Sequence, residues 1–357
     1  MSKKALAKNS KMRVRKRKNK RLLIVIAFFS AILLSVSTYA WFSSTLNVKI
    51  RFIELGVDSN TGISISLDGI IFSEEVMISM DSIIIDLKET YPNHTSQWSY
   101  GLWPVSSNGI KTPDDDKFSI YVGDLVRTRE RNDNGSGKRL LNTNLTNENR
   151  PKPTNSFVSF DIFFKNVTGS PFPDNLYFDE TTYIDFAKDT EEDVREQMQG
   201  IMNSIRIGIL KINSVPLDSS VDDIQNMKCN NECHAVIYEP FSTKHSEESI
   251  ETAENYGITL VDGETIPTYA MISSGRRLEH TCGHEGTGIP LLTDYFSLQN
   301  TVTNFEDPIM QVPHAITEAR VYIWVEGQDI DSLETYSKGT VLELGINFVK
   351  DTMGFEQ

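Results

Sequence analysis

Short apolar segments with a two-residue period recur along most of this chain and predict β-strands. Val48–Ile53 alternates, and Ile63–Leu67 alternates before Asp68-Gly69, a dipeptide typical of hairpin turns, after which Ile70–Phe72 is predicted to return. Further strands are predicted at Met77–Met80, Ile83–Leu87, Phe118–Val122, Phe157–Lys165, Ser204–Ile212, Ala235–Tyr238, Ala319–Glu326 and Val341–Val349. Gly, Asn, Asp and Pro separate these segments, so the pattern predicts a mainly β fold, an elaborated β-sandwich.

One segment, about 190–204, has a helical period instead. Three acidic residues occupy its first turn, where the helix dipole favours negative charge. Its apolar residues follow at i, i+4, i+7, i+8 and i+11: Val194, Met198, Ile201, Met202 and Ile205. We therefore expect one α-helix that packs on the sandwich.

A third pattern marks the N-terminus. Residues 1–21 contain eleven Lys or Arg and no acid, and residues 22–42 are mainly apolar. The first thirteen residues of this run have the length of a signal-peptide core, whereas the whole run is long enough to span a bilayer as an anchor helix. Cleavage between Ala40 and Trp41 and retention as an anchor both remain open. Either outcome places residues 43–357 on the extracellular face of the membrane, or releases them.

Residues 43–357 are expected to form a single extracellular domain that carries two insertions. The first, at about 112–155, is dense in Asp, Asn, Arg and Gly and is predicted to be mostly loop outside the Phe118 strand. The second, at about 214–290, contains all three cysteines and four of the six histidines.

The charge of the body differs from that of its N-terminus. Beyond residue 40 the chain has 24 basic against 49 acidic side chains, a formal charge of −25. Such a body repels nucleic acid, which we exclude as a partner, and attracts divalent cations or cationic cell-surface polymers.

The cysteines and histidines of the second insertion are the best candidates for chemistry. Outside the cell a disulfide is expected, either between Cys229 and Cys233 or from one of them to Cys282. Free thiols and a zinc site are the alternatives, because thiolates and imidazoles are the ligands that zinc prefers. The weak zinc-ligand candidates are Cys229, Cys233, His234, His280, Cys282 and His284.

Enzyme motifs are missing from the sequence. The nearest string to a metalloprotease His-Glu-x-x-His begins at His280, but its Glu285 follows the second histidine. We therefore expect neither an enzyme nor a cofactor, with a metal-dependent hydrolase as the alternative. Acidic clusters at 114–116, 222–223 and 326–331 offer oxygen ligands for calcium, yet none has an EF-hand spacing, and solvated turns are expected there.

Several segments resemble secreted surface proteins of the TasA/camelysin type, whose dedicated signal peptidase cleaves near a Thr-x-Ala-x-Phe sequence. These segments are Thr38–Phe42, Gly62–Gly69, Phe157–Asn166, Ile237–Pro240 and Val321–Gly327. The resemblance implies a jelly-roll β-sandwich, exported to the cell surface, in a family known for biofilm-matrix fibres.

Fibre subunits of that kind add a strand of one molecule to the sheet of the next. The donor here would be Trp41–Ile53, in which Val48, Ile50 and Phe52 would enter a groove; the alternative is that this strand pairs within its own sheet. The sequence therefore predicts a cell-surface or matrix structural protein that self-assembles as a fibre subunit. The alternative is a monomeric surface adhesin or binding module.

Overall fold

The computed structural model describes one part of the chain in detail. It covers residues 48–58, 62–94, 96–98, 101–102, 105–111, 117–131, 137–146, 157–229, 233–241, 244–247, 250, 272–273, 301–326, 329, 331 and 340–351. Contacts divide the chain into Met1–Leu46 and Asn47–Gln357, and every described residue belongs to the second unit. No helix in the described part is long and apolar enough to cross a membrane. The predicted signal or anchor at 22–42 lies outside the described residues.

The described residues form sixteen strands and a few short helices. The strands are β1 Val48–Val57, β2 Ile63–Ser66, β3 Glu75–Ile78, β4 Ser106–Lys111, β5 Phe118–Arg131, β6 Gly137–Thr146, β7 Phe157–Asn166, β8 Asp174–Phe178, β9 Tyr183–Phe186, β10 Ile205–Val215, β11 His234–Tyr238, β12 Ile272–Ser273, β13 Thr301–Val302, β14 Met310–Val312, β15 Ile316–Val325 and β16 Thr340–Asp351. The helices are a π-helical turn at Ser82–Asp86, α1 Leu87–Thr90, α2 Glu192–Gln197, α3 Gln199–Asn203 and α4 Val221–Gln225. The prediction of a mainly β fold is confirmed.

The first sheet has the order β14–β8–β16–β1–β3, and β9 also pairs with β16. The strands β1 and β16 run parallel, while the other pairs in this sheet are antiparallel. The register shifts between Ile50 and Phe52, a β-bulge that changes which positions face inward. Val48 and Ile50 are buried before the bulge, and Ile53 and Leu55 are buried after it. The first described strand is therefore an interior strand of this sheet.

The second sheet has the order β13–β11–β10–β15–β7–β2. Only its β11–β13 pair is parallel among the described strands. Every residue of β15 is buried, and nearly every residue of β7, so both faces of this sheet are covered.

The two sheets face each other across the main hydrophobic core. Phe164 of the second sheet meets Phe348 of the first edge to face, with ring centroids 5.1 Å apart. Apolar residues of both sheets belong to this one cluster, including Ile53 and Val321. The architecture is therefore a β-sandwich, and its jelly-roll wiring stays a prediction.

A further layer covers the outer face of the second sheet. Val105, just before β4, and Phe118, the first residue of β5, pack there against Leu210 and Trp324. The third sheet has the order β12–β6–β5–β4 and contains most of the first predicted insertion. That insertion is not mostly loop, because β5 and β6 form a long antiparallel hairpin within it. The second predicted insertion contributes β11 to the second sheet and β12 to the third.

Two local predictions need correction. The segment predicted as a strand at Ile83–Leu87 is helical, with Ile83 and Leu87 buried one turn apart. The apolar return predicted at Ile70–Phe72 is not a strand; instead Ser73 bridges Ile65, with backbone hydrogen bonds of 2.7 and 2.9 Å.

The helix predicted at about 190–204 is present as α2 and α3, which meet at Met198.

Candidate functional site

The structure places only part of the predicted Cys/His group. Cys229 and Cys233 form a disulfide, with their Cα atoms 5.5 Å apart. His234 follows directly as the first residue of β11 and lies beside Lys211 of β10. The other three candidates, His280, Cys282 and His284, lie outside the described residues, as do the predicted cleavage residues Ala40 and Trp41. The described geometry therefore brings together the disulfide and one histidine of the six ligand candidates.

His234 lines a groove of about 680 Å³ between the two sheets, together with Lys211 and Met310. Burial lowers the pKa of His234, and the positive charge of Lys211 lowers it further. A histidine held neutral beside a cation is a usable metal ligand only if further ligands converge on it. Within the described residues no group of three or more His, Cys, Asp or Glu is arranged to bind a metal.

A buried charged network lies at one end of the second sheet, and the sequence patterns did not predict it. Arg206 donates hydrogen bonds to the backbone carbonyls of Asn203 and Ile205 at 3.0 and 3.2 Å. Its guanidinium also bonds to Asp329, and its Nε lies 3.0 Å from Oε1 of Glu239. Burial raises the pKa of Asp329, although the charge of Arg206 opposes that effect.

The same network includes a histidine–carboxylate pair. Nδ1 of His245 lies 2.7 Å from Oδ2 of Asp331, and the other oxygen of Asp331 accepts a bond from the backbone N–H of Ser246 at 2.8 Å. The hydrogen bond with Asp331 raises the pKa of His245. Asp329 and Asp331 belong to the acidic cluster predicted as a solvated turn, but both are buried and bonded to basic side chains.

The described part of the proposed donor strand pairs within its own chain, and its residues 41–47 lie outside the described residues. Residues 48–53 form the first half of β1, which pairs with β16 along its length, whereas β3 pairs only with Ile53–Gly56. The bulge also places Phe52 partly exposed and turns Ile53 inward, so the simple alternation of Val48, Ile50 and Phe52 does not describe the buried face. Within a single molecule, the described part of this strand therefore follows the alternative hypothesis, in which it pairs within its own sheet.

Both sheets end at the same side of the sandwich, in a region that we call the β2–β3 edge, residues 63–85. β2 is the last described strand of the second sheet and β3 that of the first, and the Ile65–Ser73 bridge joins them. Five large apolar side chains of this region are exposed: Ile70, Ile71, Met77, Ile84 and Ile85. Ile71 is 73% exposed and Met77 is 59% exposed, which is unusual for a sheet edge that natural proteins protect with charge.

An acidic cleft adjoins this edge. Its volume is about 560 Å³, and it lies between β1, the start of β3 and the turn after β8. Five carboxylates line it: Glu54, Asp58, Glu74, Glu75 and Asp179. The cleft places five carboxylates together beside the exposed apolar side chains of the β2–β3 edge.

No protein-family model, no curated protein and no solved structure matches this chain. The resemblance to the TasA/camelysin type therefore stays a prediction.

Proposed function

We propose that this chain is an exported cell-surface or matrix protein with a structural role, which associates with further copies of itself at the β2–β3 edge. The observation that carries the proposal is the exposure of Ile71 and Met77 at a place where both sheets end. Met77 lies on the edge strand β3 and Ile71 in the connection between β2 and β3, and exposed apolar side chains at such a place favour contact with another apolar surface. A second copy of the chain supplies the same edge, so the contact is self-complementary.

Export is supported by two features of the sequence and two of the structure. The basic segment 1–21 and the apolar run 22–42 have the order of an export signal or anchor. The Cys229–Cys233 disulfide is typical of proteins outside the reducing cytoplasm. β1 begins at Val48, so the folded domain follows the apolar run after only a few residues.

Charge sets the conditions under which copies associate. A body with formal charge −25 repels its own copies, whereas apolar contact at the β2–β3 edge attracts them. Salt screens the repulsion over a Debye length of about 10 Å at 0.1 M. We therefore expect self-association to strengthen as the salt concentration rises.

Sedimentation velocity and negative-stain microscopy of the chain beginning at Trp41 test this proposal. We expect dimers whose fraction increases with salt, because one self-complementary edge closes a pair, and we expect their loss in Met77→Lys and Ile71→Lys. The matched control is Phe172→Lys, which places the same charge at an apolar side chain 64% exposed outside the edge. A chain that stays monomeric at high protein and salt concentration, or a Phe172→Lys variant that dissociates equally, would contradict the proposal.

A second function, a monomeric adhesin or binding module, is favoured by the acidic cleft. Carboxylates gathered in a concave site attract cationic cell-surface polymers. Retention on an immobilised cationic polymer should fall in Glu74→Gln/Glu75→Gln. The same change at two acids outside the cleft, Asp222→Asn/Asp223→Asn, is the control, and equal losses in both variants would argue for nonspecific charge attraction.

A further inference from the structure

Three buried polar side chains meet where β7, β8 and β16 approach one another. Asn166 is the last residue of β7, Asp174 the first of β8, and Lys350 is near the end of β16. Nδ2 of Asn166 lies 2.8 Å from Oδ2 of Asp174, and Nζ of Lys350 lies 3.1 Å from the same oxygen. Their exposed fractions are only 1% for Asn166, 4% for Asp174 and 6% for Lys350. One carboxylate oxygen thus holds an amine and an amide side by side in a nearly water-free place.

The fold explains why these residues meet. β7 belongs to the second sheet, whereas β8 and β16 are neighbours in the first, where Lys350 pairs with Leu176. The chain crosses from one sheet to the other between Asn166 and Asp174, which brings the carboxylate of Asp174 within hydrogen-bond distance of the Asn166 amide. Lys350 then reaches the same point from the last strand of the sandwich.

The carbonyl of Asn166 is polarised from the other side. Its Oδ1 accepts a hydrogen bond from the backbone N–H of Thr168 at 3.2 Å. The Thr168 hydroxyl lies 2.8 Å from Oδ1 of Asn166 and 3.0 Å from Oδ2 of Asp174, so its single proton is given to one of these oxygens at a time, and the reaction needs it on Oδ1. Its Nδ2 donates to the backbone carbonyl of Val312 at 3.0 Å as well as to Asp174. Two donors on the carbonyl oxygen are the arrangement that stabilises an oxyanion in acyl transfer.

We propose that Lys350 and Asn166 react to form an intramolecular amide bond between their side chains. Lys350 is the nucleophile, Asn166 the acyl group, Asp174 the proton carrier and Thr168 the source of the oxyanion donors. The inference does not depend on the function proposed above.

The reaction balances without an oxidant or a cofactor. Asp174 takes a proton from the Lys350 ammonium, and the free amine attacks Cγ of Asn166, which places negative charge on Oδ1 beside Thr168. The Nζ–Cγ bond forms and the Cγ–Nδ2 bond breaks. Asp174 relays the two protons that Nζ loses to Nδ2, which leaves as ammonium, and Asp174 ends as the carboxylate that it was at the start.

The surroundings favour this reaction over a simple ion pair. Burial keeps water from competing with the amine, and the fixed geometry raises the effective concentration of the two groups. Burial acts to raise the pKa of Asp174, but the hydrogen bonds from Asn166, Lys350 and Thr168 lower it overall, so Asp174 begins as a carboxylate. Its proton transfer from Lys350 is uphill, and the departure of ammonium draws the reaction forward. The new bond joins β7 of one sheet to β16 of the other.

Mass spectrometry of the full chain, denatured and with its disulfide reduced, tests the proposal. We expect a protein lighter than its sequence by one ammonia, and a tryptic species in which the Asn166 and Lys350 peptides are linked and lighter by the same mass. Lys350→Arg, Asn166→Ala and Asp174→Asn should each abolish the linked species. Thr168→Val, which keeps the backbone donor, should lower its fraction.

The matched control is Lys165→Arg, which makes the same change one residue before Asn166 and should leave the link intact. The decisive measurement is the mass of the native chain and of its tryptic peptides. It requires no variant, so misfolding of a variant cannot obscure the outcome. Separate Asn166 and Lys350 peptides of unchanged mass in the native chain would overturn the proposal. So would an Asn166 converted to aspartate beside a free Lys350, or a link that persists in Asp174→Asn.

Discussion

Phe178 and Tyr238 stack with their ring centroids 4.3 Å apart, although Phe178 belongs to the first sheet and Tyr238 to the second. Phe348 stacks on the other side of Phe178 at 5.7 Å, so one aromatic side chain links three strands. All three rings are almost completely buried. This stack is one of the contacts that hold the two sheets together.

Replacement of Phe178 by alanine should therefore destabilise the whole sandwich. Loss of a buried phenylalanine leaves a cavity and costs about 3–5 kcal/mol in the free energy of unfolding. Urea unfolding of Phe178→Ala measures the effect. The control is Phe172→Ala, the same change at an exposed ring, for which we expect a change within about 0.5 kcal/mol. Equal effects of the two substitutions would contradict the described core.

A glycine in the second sheet makes room for the outer layer. A Cβ at Gly208 would lie 2.9 Å from Cζ3 of Trp324 and 3.0 Å from Cζ of Phe118. Gly208→Ala should cost about 1–3 kcal/mol through overpacking, because both rings are buried. Urea unfolding of Gly208→Ala measures this cost, and Gly208→Ala/Phe118→Leu should recover part of it. If Phe118 did not cover this sheet, the second substitution would only add to the loss.

The long interior strands β7, β10, β15 and β16 were predictable, because each has an alternating or continuously apolar sequence that matches its burial in the sheet. Short strands such as β8 were missed because a buried acid, Asp174, occupies an inward position. The failure at Ile83–Leu87 has a similar basis. The β-branched residues of this segment favour a strand, but Ile84 and Ile85 are exposed. The buried residues are Ile83 and Leu87, which are four positions apart and therefore lie on one face of a helix.

The candidate sites were less predictable than the strands. Glu318 and Arg320 alternate with core residues of β15, a pattern typical of a solvated face, but a further layer covers that face and both side chains are buried. The partners of Arg206 and Lys350 lie far away in sequence, at Asp329 and Asp174. No local pattern predicts such pairs, because register and sheet order decide them.

The disulfide should contribute modestly to stability. Only three residues separate Cys229 from Cys233, and a small loop removes little entropy from the unfolded chain. We expect Cys229→Ser/Cys233→Ser to lose about 2 kcal/mol or less in urea unfolding. The zinc content of the native chain, purified without chelator, tests the same pairing, and we expect no stoichiometric zinc. Stoichiometric zinc would contradict the pairing and revive the zinc interpretation of this segment.

The His245–Asp331 pair makes stability depend on pH in a direction that can be derived. Its hydrogen bond raises the pKa of His245 above the ordinary value of 6.5, so the folded state binds this proton more tightly than the unfolded state. The stabilisation is complete below the ordinary value and is lost as pH rises through the raised pKa. Because the ring is partly screened by solvent, we expect a contribution of about 1 kcal/mol.

Urea unfolding of His245→Asn and the native chain on both sides of neutrality measures this contribution. The variant should be less stable at about pH 6, and the difference should shrink as pH rises through the raised pKa of His245. His94→Asn is the matched control with the opposite sign, because burial lowers the pKa of His94 and its neutral Nδ1 accepts the backbone N–H of Ser96 at 3.2 Å. Its protonation therefore weakens the native chain at acid pH. A pH-independent difference for His245→Asn would show that its proton does not contribute to the buried network around Arg206.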